Sequence, residues 1–304
     1  MHITRRPHHL SQPSTPIPVM TPPPQVKILR SSDGHEIFAE ASGDPAHPHV
    51  VLLHGFSLCS AVFDAFCQRQ DLLKALYIVR FDLRGHGRSG KPTTSQGHLS
   101  SLYAEDFQVV LNAFGLRTPV LVGWSMGGII GADIVAYLPS DILSGILYIS
   151  GIPHAPCLFA GAGMPALGSL FTRSTNPLTS QAAMVEFVDG CLASPSAPKI
   201  TFEMRCMFLG MGALQSFDIR SAILSRQQDA EAFANAAGTI PMSIMYGTGD
   251  QLINGAYVEL ALKDIASDVE VTVVPNAGHT LFWEQPDLTA KTVINFVQRV
   301  WSKE

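Results

Sequence analysis

Apolar residues in this chain of 304 fall into short runs, separated by segments in which they recur at helical spacing. The runs "HVVLLHG", "ALYIVRFDLRG", "PVLVGWS", "SGILYIS", "IPMSIMYG" and "VEVTVVPNAG" are short and rich in β-branched or aromatic apolar residues. That pattern predicts strands covered on both faces, as in a parallel sheet. Two further runs, "QVKILRS" and "HEIFAEAS", flank Ser32-Asp33-Gly34. Asp-Gly suits a hairpin turn, so the chain is expected to open on an antiparallel pair. Helical spacing near residues 60–74, 101–114, 126–138, 253–266 and 286–301 supplies the crossovers. The expected fold class is α/β, mostly parallel, with helices on both faces of the sheet.

One long interval, residues 153–237, breaks the alternation with helical patterns and no convincing strand. It predicts an inserted helical cap, which divides the core into residues 26–152 and 238–304. Within the cap, Met204, Met207, Phe208 and Met211 follow i, i+3, i+4, i+7 spacing and share one helix face. Such a stripe suits core packing first, and also an adaptable apolar pocket wall. Residues 1–25 differ from both parts. They hold seven prolines and no acid, lack the apolar stretch of a secretory signal, and predict a disordered or surface-hugging arm in preference to an organellar targeting signal.

Composition narrows the partners. A formal net charge of -5 without a long run of one sign argues against nucleic acid or an anionic membrane surface. No apolar stretch is long enough to span a membrane, because the best one is broken by Asp133. Five cysteines with no CxxC pair point to reduced thiols and a cytoplasmic setting. A metal at His2, His8 or His9 is not expected, because no second ligand cluster accompanies them. The expected partner is a small-molecule substrate; oligomeric state is open.

Candidate chemistry starts at "VLVGWSMGGIIG", where Ser125 lies between a strand and a helix. GxSxG alone occurs by chance about once in ten chains of this length, so its context decides. Gly123 and Gly127 allow a sharp turn that lifts the Ser125 hydroxyl above the sheet edge and aims a helix N-terminus at the reacting centre. A neutral hydroxyl needs an imidazole to take its proton, and the imidazole needs a carboxylate to fix its tautomer. Asp250 in "MYGTGDQLI" and His279 in "VVPNAGHTLFWEQP" each follow a strand, in the order Ser, Asp, His. Parallel strands bring such loops to one edge.

Oxyanion donors are expected from the N–H of Met126 and, across Gly55 in "LLHGFS", from the N–H of Phe56. Trp124 is expected as pocket wall or core, and Met207, Phe208 and Met211 as cap residues against the substrate. His54 and His86 read as scaffold, the latter disfavoured as imidazolium by Arg84 and Arg88. Asp82 reads as a loop anchor, and Asp106, on a helix, as a cap or hydrogen-bond acceptor.

Together "HGFS", "DLRGHGRSGKP", "GWSMGG", "GTGD" and "NAGHTLFWEQP", in this order over residues 26–301, resemble the α/β-hydrolase superfamily. The form of the elbow is most similar to the esterase, lactonase and non-haem perhydrolase branch. That resemblance implies an eight-stranded sheet with the cap after the sixth strand. Epoxide hydrolases and haloalkane dehalogenases of the superfamily use Asp where this chain has Ser125, and the cap has no tyrosine to polarise an epoxide. Perhydrolases usually carry a proline soon after the His-Gly pair; here Phe56, Ser57 and Leu58 follow, which makes perhydrolysis at most a side activity. The expected activity is cofactor-independent cleavage of an ester, lactone or thioester with an apolar acyl group. Carbon-carbon bond hydrolysis of ring-fission products, with Arg173 or Arg205 holding a dienoate, is one alternative; a non-catalytic small-molecule receptor on the same fold is another.

Overall fold

The structure, a computed structural model, describes residues 23–171, 176–192 and 201–301. All but the last three residues of the expected arm lie outside them. Eight strands form one sheet in the order β1-β2-β4-β3-β5-β6-β7-β8. They are β1 (Gln25–Arg30), β2 (Glu36–Ser42), β3 (His49–Leu53), β4 (Tyr77–Phe81), β5 (Val120–Trp124), β6 (Gly145–Ile149), β7 (Met242–Gly247) and β8 (Val269–Val274). Strand β2 is antiparallel to both β1 and β4, and every other pair is parallel.

The continuous apolar runs have a direct cause. Every residue of β3, β4, β5, β6 and β7 is buried, so neither face of those strands needs polar residues. Strand β8 departs from the expectation of double burial: it forms the sheet edge, and of its six residues only Val274 is buried. Its β-branched residues suit extended backbone at an edge as well as in a core.

From β3 the chain steps outward to β4, then crosses back over β3 to β5. Right-handed crossovers in opposite directions put their helices on opposite faces. Helix Ser100–Phe114 packs on helix Ile130–Tyr137, while Gln70–Ala75 packs on Pro286–Val300. The C-terminal ends of β3, β5, β7 and β8 therefore share one edge.

Between β6 and β7 the described residues hold helices and a single isolated bridge, Gly163 to Ile253. Helices Pro177–Leu192 and Phe202–Ala213 pack together, whereas Ala230–Ala237, inside the interval expected as cap, packs on Ile130–Tyr137. Asp133, which broke the apolar stretch, is buried and accepts from Arg226 Nη1 at 2.8 Å and Gln228 Nε2 at 2.8 Å. That pair ties the helical span to the sheet layer, and removing one partner of such a pair typically costs about 3–5 kcal/mol.

Candidate active site

Ser125 has φ +54°, the left-handed region that L residues avoid at a cost of roughly 1–2 kcal/mol. It joins β5 to a short 3-10 segment, Ser125–Ile129, that leads into helix Ile130–Tyr137. A Cβ on Gly123 would lie 2.5 Å from the Gly128 backbone, so the turn closes only with glycine there. The Ser125 carbonyl accepts from the Ile152 N–H at 3.2 Å, which pins the turn to the loop after β6. The Met126 N–H is in the first turn of this helical segment, where backbone donors have no partner within the helix.

The loops after β7 and β8 bring Asp250 and His279 together. His279 Nδ1 is 2.8 Å from Asp250 Oδ2, and both side chains are 1% exposed. Asp250 Oδ1 accepts from the N–H groups of Leu252 at 2.8 Å and Ile253 at 3.0 Å, so the carboxylate is oriented at both oxygens. The Asp250 contact sets the proton on Nδ1 and leaves Nε2 as an acceptor.

Two further residues hold the imidazole: Glu284, which sequence reasoning missed, and Trp124, which it expected only as pocket wall or core. Buried Glu284 accepts from the N–H of Gly278 at 2.6 Å and the N–H of Thr280 at 3.1 Å, bracketing His279 in the chain. Trp124 Nε1 donates to the His279 carbonyl at 2.9 Å, and its ring centroid is 5.3 Å from the imidazole. Only the position of Glu284 five residues after His279 was visible in the sequence, and spacing does not say which N–H groups it will meet.

The loop after β3 approaches Ser125 closely. A Cβ on Gly55 would sit 3.1 Å from Ser125 Cβ and 3.2 Å from the Trp124 ring. Phe56 follows directly and is buried. His54 is fully committed: its Nε2 accepts from the Leu83 N–H at 3.0 Å and its Nδ1 donates to the Gly55 carbonyl at 2.8 Å. Burial pulls its pKa down, so it stays neutral. His86 is also held well below the usual histidine range, chiefly by burial, where the sequence suggests repulsion by Arg84 and Arg88. Those arginines face carboxylates. Arg84 donates to both oxygens of Asp106 at 2.7 Å, and Arg88 Nε donates to Asp82 at 2.8 Å. Asp106 and Asp82 are thereby engaged elsewhere and are not in contact with His279.

The methionine stripe packs. Phe208 has no exposed surface and its ring lies 6.3 Å from that of Trp124, which is itself 1% exposed. Met204 and Met211 are buried, and Met207 is partly so. Burial accords with the packing alternative for Phe208 and Trp124, while Met211 keeps 9% of its surface. All five cysteines are free and only Cys206 is exposed; burial raises the Cys59 thiol to about 11 and Cys157 to about 11, which leaves neither as a thiolate nucleophile. Among the described residues no group of three His, Cys, Asp or Glu side chains is placed to hold a metal, and no helix is long and apolar enough to cross a membrane.

An elbow serine beside a loop after β3, with a paired acid and imidazole at the same sheet edge, defines a class of enzyme. The chain belongs to the alpha/beta hydrolase family, whose sequence profile matches residues 50–292, and it is a hydrolase. It is similar to monoacylglycerol lipase ABHD6 of Homo sapiens, with 26% identity across 91% of this chain and 83% of that one. It is also similar to Lipase 1 of Psychrobacter immobilis, with 26% identity over 88% of this chain and 82% of the other. A solved structure of a putative aryl esterase from Burkholderia cenocepacia superposes with a TM-score of 0.81, covering 92% of this chain and all of its own at 22% identity, which speaks to fold.

Proposed function

We propose that the protein is a serine hydrolase of carboxylic esters, lactones or thioesters with an apolar acyl group, and that Ser125, His279 and Asp250 form its triad. The observation that carries this reading is the His279–Asp250 pair, buried and 2.8 Å apart, at the sheet edge that also presents the left-handed Ser125. The relatives named as lipases and esterases support the same bond class.

In this mechanism Ser125 Oγ forms a bond to the substrate carbonyl carbon as its proton passes to His279 Nε2. Negative charge develops on the carbonyl oxygen, which faces the N–H groups of Met126 and Phe56. Each such donor, aimed at the oxyanion, contributes about 3–4 kcal/mol to the barrier reduction. The tetrahedral species collapses, the carbon–oxygen bond to the leaving alcohol breaks, and the alcohol takes the proton from Nε2. Water then attacks the acyl-serine with His279 as base and releases the acid. Asp250 orients His279 and stabilises the imidazolium.

Dienoate binding by the cap has less support, because Arg205 is half-buried and paired to Asp189 at 2.6 Å, and Arg173 lies outside the described residues. The test is turnover of a p-nitrophenyl ester series by the native protein and by Ser125→Ala. The native protein should cleave medium-chain esters, and the variant should lose at least four orders of magnitude in kcat (about 10⁴-fold). Equal rates for the two proteins would refute the assignment, and turnover of ring-fission products with no ester cleavage would favour the carbon-carbon reading.

A further inference from the structure

Helices Pro177–Leu192, Phe202–Ala213 and Phe217–Leu224 border a cavity of about 610 Å³. Met184, Val185, Leu209 and Phe217 give it apolar wall, and its polar lining includes Gln215 and Arg220. Arg220 is only 9% exposed. Its Nη1 donates to the Gln215 carbonyl at 2.8 Å, while its Nε has no hydrogen-bond partner. Among the described residues no carboxylate pairs with it, and neither this cavity nor the smaller hollow of about 240 Å³ that Arg220 also borders has an acidic residue in its lining.

The other buried arginines among the described residues are treated differently. Arg80 holds Glu40 at 2.9 Å and Asp64 at 2.7 Å, Arg84 holds Asp106 at 2.7 Å, and Arg226 holds Asp133 at 2.8 Å. A buried guanidinium without a counter-charge is costly, and it remains protonated at neutral pH. Burial does pull the Arg220 pKa below the usual arginine value, and no acidic neighbour offsets the shift. A protein interior that keeps such a charge beside an apolar cavity is complementary to an anion carried on an apolar chain.

Hydrogen bonds connect this cavity to the site. Gln215 Oε1 accepts from Ser57 Oγ at 2.7 Å, and Gln215 Nε2 donates to the Gly85 carbonyl at 2.9 Å. Ser57 is the residue after Phe56, so Arg220, Gln215 and the loop after β3 form one hydrogen-bonded chain.

We propose that Arg220 is the anion-binding residue of a second subsite, which takes a carboxylate at the far end of an apolar acyl chain whose ester carbonyl lies at Ser125. The substrate class is then half-esters of apolar α,ω-dicarboxylic acids. This rests on the ester-hydrolase reading for its chemistry, while the anion site itself stands on the cavity and on Arg220.

The test compares p-nitrophenyl esters of monocarboxylic acids with the matching p-nitrophenyl half-esters of dicarboxylic acids, over a series of chain lengths. The native protein should cleave the half-ester at one chain length at least as well as the neutral ester. Arg220→Met should lower the half-ester to neutral-ester ratio of kcat/KM by roughly tenfold or more, as for loss of a charge-assisted hydrogen bond, with Arg220→Lys between the two. A native preference for neutral esters at every length overturns the proposal, as does a ratio unchanged in a folded Arg220→Met protein. If Arg220→Met does not fold, the native ratio and the Arg220→Lys ratio decide. Calorimetric titration of Ser125→Ala protein with suberate separates this inference from the reading it rests on. Binding without ester turnover by the native protein sinks the ester chemistry alone; absence of binding sinks the anion site.

Discussion

At the sheet edge, Asp250, Glu284 and His54 find their partners inside the protein; in the helical span, Arg220 is buried with no acid beside it. Asp250 accepts from three groups, Glu284 grips the backbone on both sides of His279, and both ring nitrogens of His54 are engaged. That degree of satisfaction suits a reaction in which charge must develop against groups already in place. The helical span retains hollows and an uncompensated charge, as expected of a surface shaped for something that arrives from solution.

The largest break in this comparison comes from Asp250→Asn. The amide reverses the hydrogen-bond polarity towards His279 Nδ1 and favours the wrong tautomer, so kcat should fall by about 10⁴ with the fold retained. A loss under tenfold, measured on the best ester, would show that another group orients His279.

Next comes Phe208→Ala, which separates packing from substrate contact in the helical span. With Phe208 fully buried against Trp124, the substitution should cost about 3–5 kcal/mol of stability, read as a lower denaturation midpoint. It should lower activity on all acyl chain lengths alike. A shifted chain-length profile with unchanged stability would return Phe208 to the pocket wall.

Acid should damage the sheet-edge region first, and by a smaller amount. Burial depresses the pKa of His54 and His98, the latter to about 4, and holds His86 well below the usual histidine range. As pH falls through the unfolded value near 6.5 the unfolded chain takes up protons that the folded chain refuses. Stability is therefore complete above that pH and declines below it, by at most about 1.4 kcal/mol per pH unit for each histidine. The melting temperature should drop between pH 7 and 5, and His98→Gln should reduce the slope. A flat profile over that interval would mean these histidines are not held neutral.

Much of the sheet-edge region was legible in the sequence because its features are local. Continuous apolar runs marked β3 to β7, Asp-Gly marked the first hairpin, and the glycines around Ser125 marked the turn. Asp250 and His279 could be paired because each follows a strand and parallel strands share an edge. What stayed hidden depends on contacts between distant segments. In "VEVTVV" Glu270 and Thr272 alternate with valines, which is the signal of a strand solvated on one face, but the β-branched residues suit an edge and a core alike. Arg226 meets Asp133 across 93 residues, and Gln215 meets Ser57 across 158, without periodicity to signal either pair. Arg220 was the least visible of all, because its significance is a partner it does not have, and only a folded chain shows that.

The central claim is that Ser125 is a nucleophile activated by His279, and covalent trapping tests it most directly. Native protein treated with a fluorophosphonate should gain the mass of one phosphonyl group, located by peptide mass spectrometry on Ser125. Ser125→Ala should gain none, and His279→Ala should label far more slowly. An unmodified native protein, or an adduct on any other residue that persists in Ser125→Ala, would contradict the account.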